Sequence, residues 1–251
     1  MIKLQRTPKP SCLTPQLVKD LTDKFKADHS QRVWDIKDLK KALLAMSSGK
    51  CCYCECNITE ESKYMEVEHF KYKDKYKDDV LEWLNLLPSC KRCNGIKSNH
   101  DVLLEPIINP STVAPKDHLY YYHLTLYDKD DLGKNTIEVL NLNDSTRLVK
   151  PRFELWNELT NTLKNIEEIA NSFVQNPITK RRNRVINSLK LLLEEAGPQS
   201  EYAAVYASIL LNEPAYKNIR TILQTQGYWD DTFQTLEQNA NFCCLDLKIP
   251  S

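Results

Sequence analysis

Apolar residues recur at helical spacing along most of the chain. Behind Thr14-Pro15, a cap followed by a first-turn proline, Leu17, Leu21 and Phe25 share a face and predict a helix. Ile36, Leu39, Leu43 and Met46 predict a second, with Asp35 as its cap and Gly49 at its end. The pattern then changes. Residues 64–70 alternate as a short strand does, Pro88 is expected to close the apolar Leu84–Leu87 segment, and residues 90–99 suit a helix. Between them, residues 71–79 form a mixed-sign charge run that reads as a solvated loop. Pro106, Pro110 and Pro115 mark a linker, and residues 118–127, rich in tyrosine, read as one strand. Residues 132–142 show no clear period. From Ser145 on, Leu148, Phe153, Trp156, Leu159, Leu163, Ile166, Ala170 and Phe173 keep helical spacing, and Pro177, Pro198 and Pro214 each fall near the start of a further helix.

The expected architecture is therefore mainly α and α+β overall. Three segments are expected: an N-terminal arm with two helices (1–48), a small metal module (49–112), and a mostly helical region (113–251) suited to binding a partner. Five glycines in 251 residues fit helices better than a turn-rich sheet. No apolar run is long enough to span a membrane, and the first residues lack the apolar core of a secretory signal, so the expected compartment is the cytoplasm. Lys3, Arg6 and Lys9 make the Pro-containing first residues a basic extended arm, either lying along a nucleic acid or partner, or simply packed. With 34 basic and 34 acidic residues the chain is neutral, so grip on a polyanion must come from local patches or from a partner.

The candidate chemistry is concentrated between Gly49 and Lys97. Cys51/Cys54 and Cys90/Cys93 are two C-x-x-C pairs, the spacing of a closed four-thiolate zinc site. Cys52/Cys56 is a rival first pair. Nine cysteines, an odd number, argue against a disulfide framework. Between the pairs lie Glu68 and His69, and Asn94 follows the second pair directly. A histidine titrating near ~6.5 can serve as a general base at neutral pH, and oxygen donors suit magnesium or manganese.

In its order, C-x-Y-C-E, E-H-F, W-x-N-L and C-x-x-C-N-x-x-K, this stretch resembles a cysteine-stapled HNH endonuclease. More narrowly, it resembles the nuclease subunit of Septu-type and retron-linked anti-phage systems, the PtuB family. The detailed match covers about a fifth of the chain. The resemblance implies a ββα-metal fold, His69 as base, Glu68 and Asn94 as ligands of a catalytic magnesium or manganese, and Asn85 as the residue that braces the loop. It also implies an ABC-type ATPase partner resembling PtuA; this chain has no glycine-rich phosphate loop of its own. On an ideal strand Glu68 and His69 point to opposite faces, so a shared site requires a bend. Lys97 shares a helix face with Asn94 and, with Lys91 and Arg92, offers cations to a phosphate or to solvent. Lys180, Arg181, Arg182 and Arg184 form a second basic cluster, read either as a nucleic-acid contact or as a solvated helix face. The tyrosine-rich 202–211 segment suits a core or an interface. DNA and RNA, tRNA included, both remain open as substrates. A zinc module that only binds is the alternative, set apart by its having no need of Glu68, His69 and Asn94.

Overall fold

The computed structural model describes residues 1–59 and 64–247. They form two compact units, which divide the chain differently from the three expected segments. The first takes in Met1, residues 3–118 and residues 128–142; the second contains Ile2, residues 119–127 and the described residues from Asn143 on.

In the first unit, α1 (Pro15–Ala27) starts as its sequence predicts, with the Thr14 hydroxyl accepting from the Leu17 amide, and it buries Phe25. Helix α2 (Lys37–Ser47) buries Leu39, Leu43 and Met46. Asp35 does not cap it. Ile36 holds the cap position and the Asp35 carboxylate pairs with Lys40 instead. Ser48 and Gly49, both left-handed, end the helix. Gly49 is needed twice over, because its φ is +72° and a Cβ there would lie 2.9 Å from Thr59 Cγ2. Helix α2 packs on the sheet that follows, so the N-terminal helices belong to the metal module.

That sheet is β1 (Met65–His69) against antiparallel β2 (Leu86–Cys90), in a register that sets His69 opposite Leu86 and Met65 opposite Cys90. Pro88 lies inside β2, not after it. A two-stranded sheet is all edge, and proline is tolerated on edges because no ladder donor is lost. Helix α3 (Lys91–Lys97) follows at once, completing a β–β–α unit. The basic arm is packed. Arg6 donates to the carbonyls of Trp83 (2.6 Å) and Leu86 (3.0 Å), and its guanidinium lies 5.1 Å from the centre of the Trp83 ring. Helix α4 (Asp131–Val139), where the sequence showed no period, closes this unit and is capped by Asp130.

In the second unit the expected single strand is a hairpin, β3 (Leu119–Tyr122) and β4 (Thr125–Asp128), turning at His123 and Leu124, both of positive φ. Five helices follow among the described residues: α5 (Lys150–Gln175), α6 (Thr179–Glu195), α7 (Ala203–Asn212), α8 (Pro214–Thr225) and α9 (Asp231–Cys243). Helix α7 is buried on every side, as a helix that is apolar all round must be. The 202–211 segment is therefore core, with α5, α6, α8 and α9 packed around it, and not a free docking face. No described helix is long and apolar enough to cross a membrane.

Candidate functional site

Two arrangements meet on the β–β–α unit. The first is a sulfur cluster. Cys51 and Cys54 sit on the turn before β1, Cys90 ends β2, and Cys93 lies in the first turn of α3. Their sulfurs all fall within 4.8 Å of one another. The Cys54–Cys90 separation is 3.8 Å. A tetrahedron with Zn–S bonds of ~2.3 Å has edges of about 3.8 Å, so the four thiols fit a structural zinc. The turn is shaped for it: the Glu55 amide donates to Cys51 O, Glu55 takes a φ of +64°, and the Cys93 amide points at Cys90 Sγ (3.4 Å). Glu55 also anchors the first residue, its Oε2 accepting from the Met1 ammonium at 2.7 Å, both groups buried. Of the rival pair, Cys52 stays outside the cluster and burial pushes its thiol well up. Cys56 lies beside the cluster, within reach of Cys51, Cys54 and Cys90.

The second arrangement is a cleft of about 300 Å³ bordered by β1 and α3, with Glu66, Glu68, His69 and Asn94 on its walls. Glu68 and His69 both border it without a bend in β1, whose pairing continues as Phe70 N donates to Asn85 O. His69 is 7% exposed, and its Nε2 lies 3.0 Å from the Val80 carbonyl. A carbonyl can only accept, so Nε2 carries the proton and Nδ1 keeps the lone pair. The Trp34 ring packs against it at 78°, centroids 4.8 Å apart. Burial pushes the imidazole down to about 4, so it is neutral at physiological pH.

Asn85 braces this histidine from behind. Its Oδ1 accepts from the Lys71 amide (2.7 Å), and its Nδ2 donates to the carbonyls of Lys71 and Asp79 (3.1 Å each). One side chain thus ties the residues just after His69 to the residue just before Val80. Asn94, half-buried, presents an amide with no side-chain hydrogen bond among the described residues.

Lys97 is not a surface cation. It is 1% exposed, and its Nζ donates to Glu68 Oε1 at 2.7 Å and to His69 O at 3.0 Å. The Tyr53 hydroxyl donates to the same Oε1 at 3.3 Å. Burial pushes the Glu68 carboxyl up to about 7, against the pull of Lys97 and Tyr53. Lys97→Met should therefore strand a buried carboxylate and cost roughly 3–5 kcal/mol. The loss should be larger at pH 8 than at pH 6, where the carboxyl takes up a proton and sheds its charge. Urea melts at both pH values measure this, and a loss below ~1 kcal/mol at pH 8 would show that the pair carries no such weight.

The chain is 43% identical over 242 residues to a "Septu protein PtuB" of Bacillus thuringiensis, covering 96% of this chain and 93% of the relative. The chain belongs to the Septu PtuB family. A second PtuB, from Bacillus mycoides (strain KBAB4), is 28% identical over 167 residues, about half of each chain (52%). No protein-family model matches.

The remaining expected cations do not line the cleft. Arg92 donates to the carbonyls of Asn141 (2.7 Å) and Leu140 (3.4 Å), holding the end of α4 instead of facing a phosphate. Lys91 is exposed on α3 but does not line the cleft. In the second unit, Lys180, Arg181 and Arg184 line one shallow depression with Glu168 and Ser172, and Arg181 also donates to Asn176 O at 3.2 Å. The cations that do line the cleft, Arg32 and Lys73, went unrecognised in the sequence, because one follows α1 in a loop and the other sits in a mixed charge run.

Proposed function

We propose that this chain is a metal-dependent HNH endonuclease. It hydrolyses phosphodiester bonds as the nuclease subunit of an anti-phage complex with an ABC-type ATPase resembling PtuA. The observation that carries this reading is the setting of His69: an imidazole at the wall of a polar cleft, its Nε2 proton held on Val80 O and its Nδ1 without a partner among the described residues. That is a general base prepared to take a proton from water. Asn85 holds it in place, and Lys97 acts through Glu68 as a positioning residue.

The donors near it fit a hard divalent cation. Asn94 has an unengaged amide oxygen, and Glu68, with Oε1 committed to Lys97, has Oε2 to offer. Bound there, magnesium or manganese would neutralise charge on the phosphate and the leaving oxygen. The zinc expected in the sulfur cluster is a closed site, and its role is to hold the β–β–α unit together.

The neutral composition bears on the partner. Counterion release gives this chain little sequence-independent affinity, so the ATPase supplies grip and control, and the free subunit cuts slowly. The test offers DNA and RNA in magnesium to the purified chain, alone and with the ATPase. Cleavage by the complex, faster than by the lone chain, is expected, and the substrate cut separates DNA from RNA, tRNA included. No cleavage of either by the complex would leave the alternative, a zinc module that only binds.

The pH profile is a second expectation. Protonated imidazole cannot act as a base, and a pKa pushed down keeps the base form available at lower pH. At saturating metal, the rate should show no acid limb from His69 between about pH 8 and about pH 5. A tenfold fall per unit below about pH 6.5, the ordinary histidine value, would contradict this.

A further inference from the structure

Phosphate recognition requires cations beside the reacting group, and none of the three expected on α3 lines the cleft with a free charge. Lys97 is buried against Glu68, Arg92 is engaged with backbone carbonyls, and Lys91 lies off the wall. Two other cationic side chains do line it. Arg32 comes from the loop between α1 and α2 and is 59% exposed; Lys73 follows β1 and is 33% exposed.

Each has an acidic neighbour held loosely. Arg32 Nη2 is 3.7 Å from Glu66 Oε2, and Lys73 Nζ is 3.7 Å from Asp74 Oδ2. Exposed pairs at that distance are weak, so an arriving phosphate can displace the carboxylate at small cost. Lys73 is also placed by packing, with its ammonium 5.7 Å from the centre of the Trp34 ring. That same ring packs roughly perpendicular to His69, so Lys73 and His69 share one aromatic support. Arg32 reaches the same wall beside Glu66. Glu66 precedes His69 by three residues on β1, about 10 Å, far enough for Arg32 to meet a different phosphate from Lys73.

Resting on the nuclease reading above, we infer that Arg32 and Lys73 are the substrate-binding cations of the cleft, Lys73 at the phosphate beside His69 and Arg32 at a neighbouring phosphate. They touch the phosphates and carry no sequence information. The inference names the substrate contact of the site and accounts for how a neutral chain concentrates positive charge where it is used.

The test is steady-state cleavage by the full chain with its ATPase, together with equilibrium binding of a fluorescent oligonucleotide at salt concentrations from about 50 to about 200 mM. Arg32→Gln and Lys73→Gln are each expected to raise KM several-fold with a smaller change in kcat. Each should also flatten the slope of log K against log salt by about 0.7–0.9, the contribution of one phosphate contact. Arg32→Lys and Lys73→Arg, which keep the charge, should restore the slope. Lys41→Gln, an exposed lysine of α2 paired with Asp38, is the control and should leave it unchanged. If the wild-type complex cleaves and both glutamine variants keep its KM and salt slope, the inference is overturned while the nuclease reading stands. If the variants lose kcat alone and the charge-keeping variants do not recover it, the residues act structurally and the inference also fails. If the wild-type complex cuts nothing, the nuclease reading itself fails.

Discussion

His69→Ala is expected to lower cleavage by roughly 100-fold or more, the scale of a lost general base, while the protein stays folded and keeps its zinc. The residue is well isolated for such a test. Its ring contacts the Trp34 ring and one backbone carbonyl, and the brace around it is made by Asn85 through main-chain groups that the substitution leaves in place. Truncation leaves the Val80 carbonyl without its donor and opens a small void, costs of about 1–3 kcal/mol that a zinc-clamped unit should withstand. The sulfur cluster lies on the turn before β1, at the end of β2 and in α3, and involves no His69 contact, so metal analysis serves as an independent fold control. A folded variant with normal zinc and near-normal cleavage would remove His69 from the chemistry and leave the site without a base. Asn85→Ala should mimic part of the loss through displacement of His69, but at some cost in stability, because three backbone groups lose their partner at once. The two variants therefore separate chemistry from positioning.

What could be read from the sequence and what could not divide along physical lines. Local rules worked where the determinant was local. Thr14-Pro15 begins a helix because both residues act within one turn, and the paired C-x-x-C spacings bring four sulfurs together because each pair is fixed by its own tight turn. Failures came where a long side chain chose between water and the interior. Lys97 shares a helix face with Asn94, yet periodicity cannot tell whether that face meets solvent or a buried carboxylate. Only the fold of β1 brings Glu68 within 2.7 Å of it. Arg92 was read as a cation for phosphate or solvent for the same reason, and the arm carrying Arg6 was left open between a ligand and packing; both side chains satisfy carbonyls distant in sequence. Pro88 was read as a stop because proline lacks a donor, a rule that loses force in a two-stranded sheet. The hairpin at residues 119–128 was missed because its turn uses His123 and Leu124 at positive φ, where glycine or asparagine would have announced it.

The second large effect is expected at the sulfur cluster. Cys90→Ser should release the zinc and unfold the β–β–α unit, because metal binding at such a site is folding free energy, of order 10–16 kcal/mol for zinc-finger peptides. Serine makes the substitution informative. Cys90 is also the N-cap of α3, accepting from the Cys93 amide, and serine is a good cap, so the helix start is kept while a thiolate is lost. A fall in stability then reports the metal and not the cap. The sheet adds little to offset it, since two strands of five residues bury too little to stand alone, and β2 leads directly into the α3 residues that the cluster clamps. Loss of the clamp should free α3, and with it Asn94 and the Lys97–Glu68 pair, so activity should fall together with zinc. Cys56→Ser is the discriminating partner. Its sulfur neighbours the cluster but is not one of the four that fall within a single tetrahedral reach, so about one zinc per chain should remain after that change. Elemental analysis of wild type, Cys90→Ser and Cys56→Ser decides the ligand set. Less than about one tightly held zinc in the wild type would refute the site, and retention after Cys90→Ser with loss after Cys56→Ser would move the fourth ligand to Cys56.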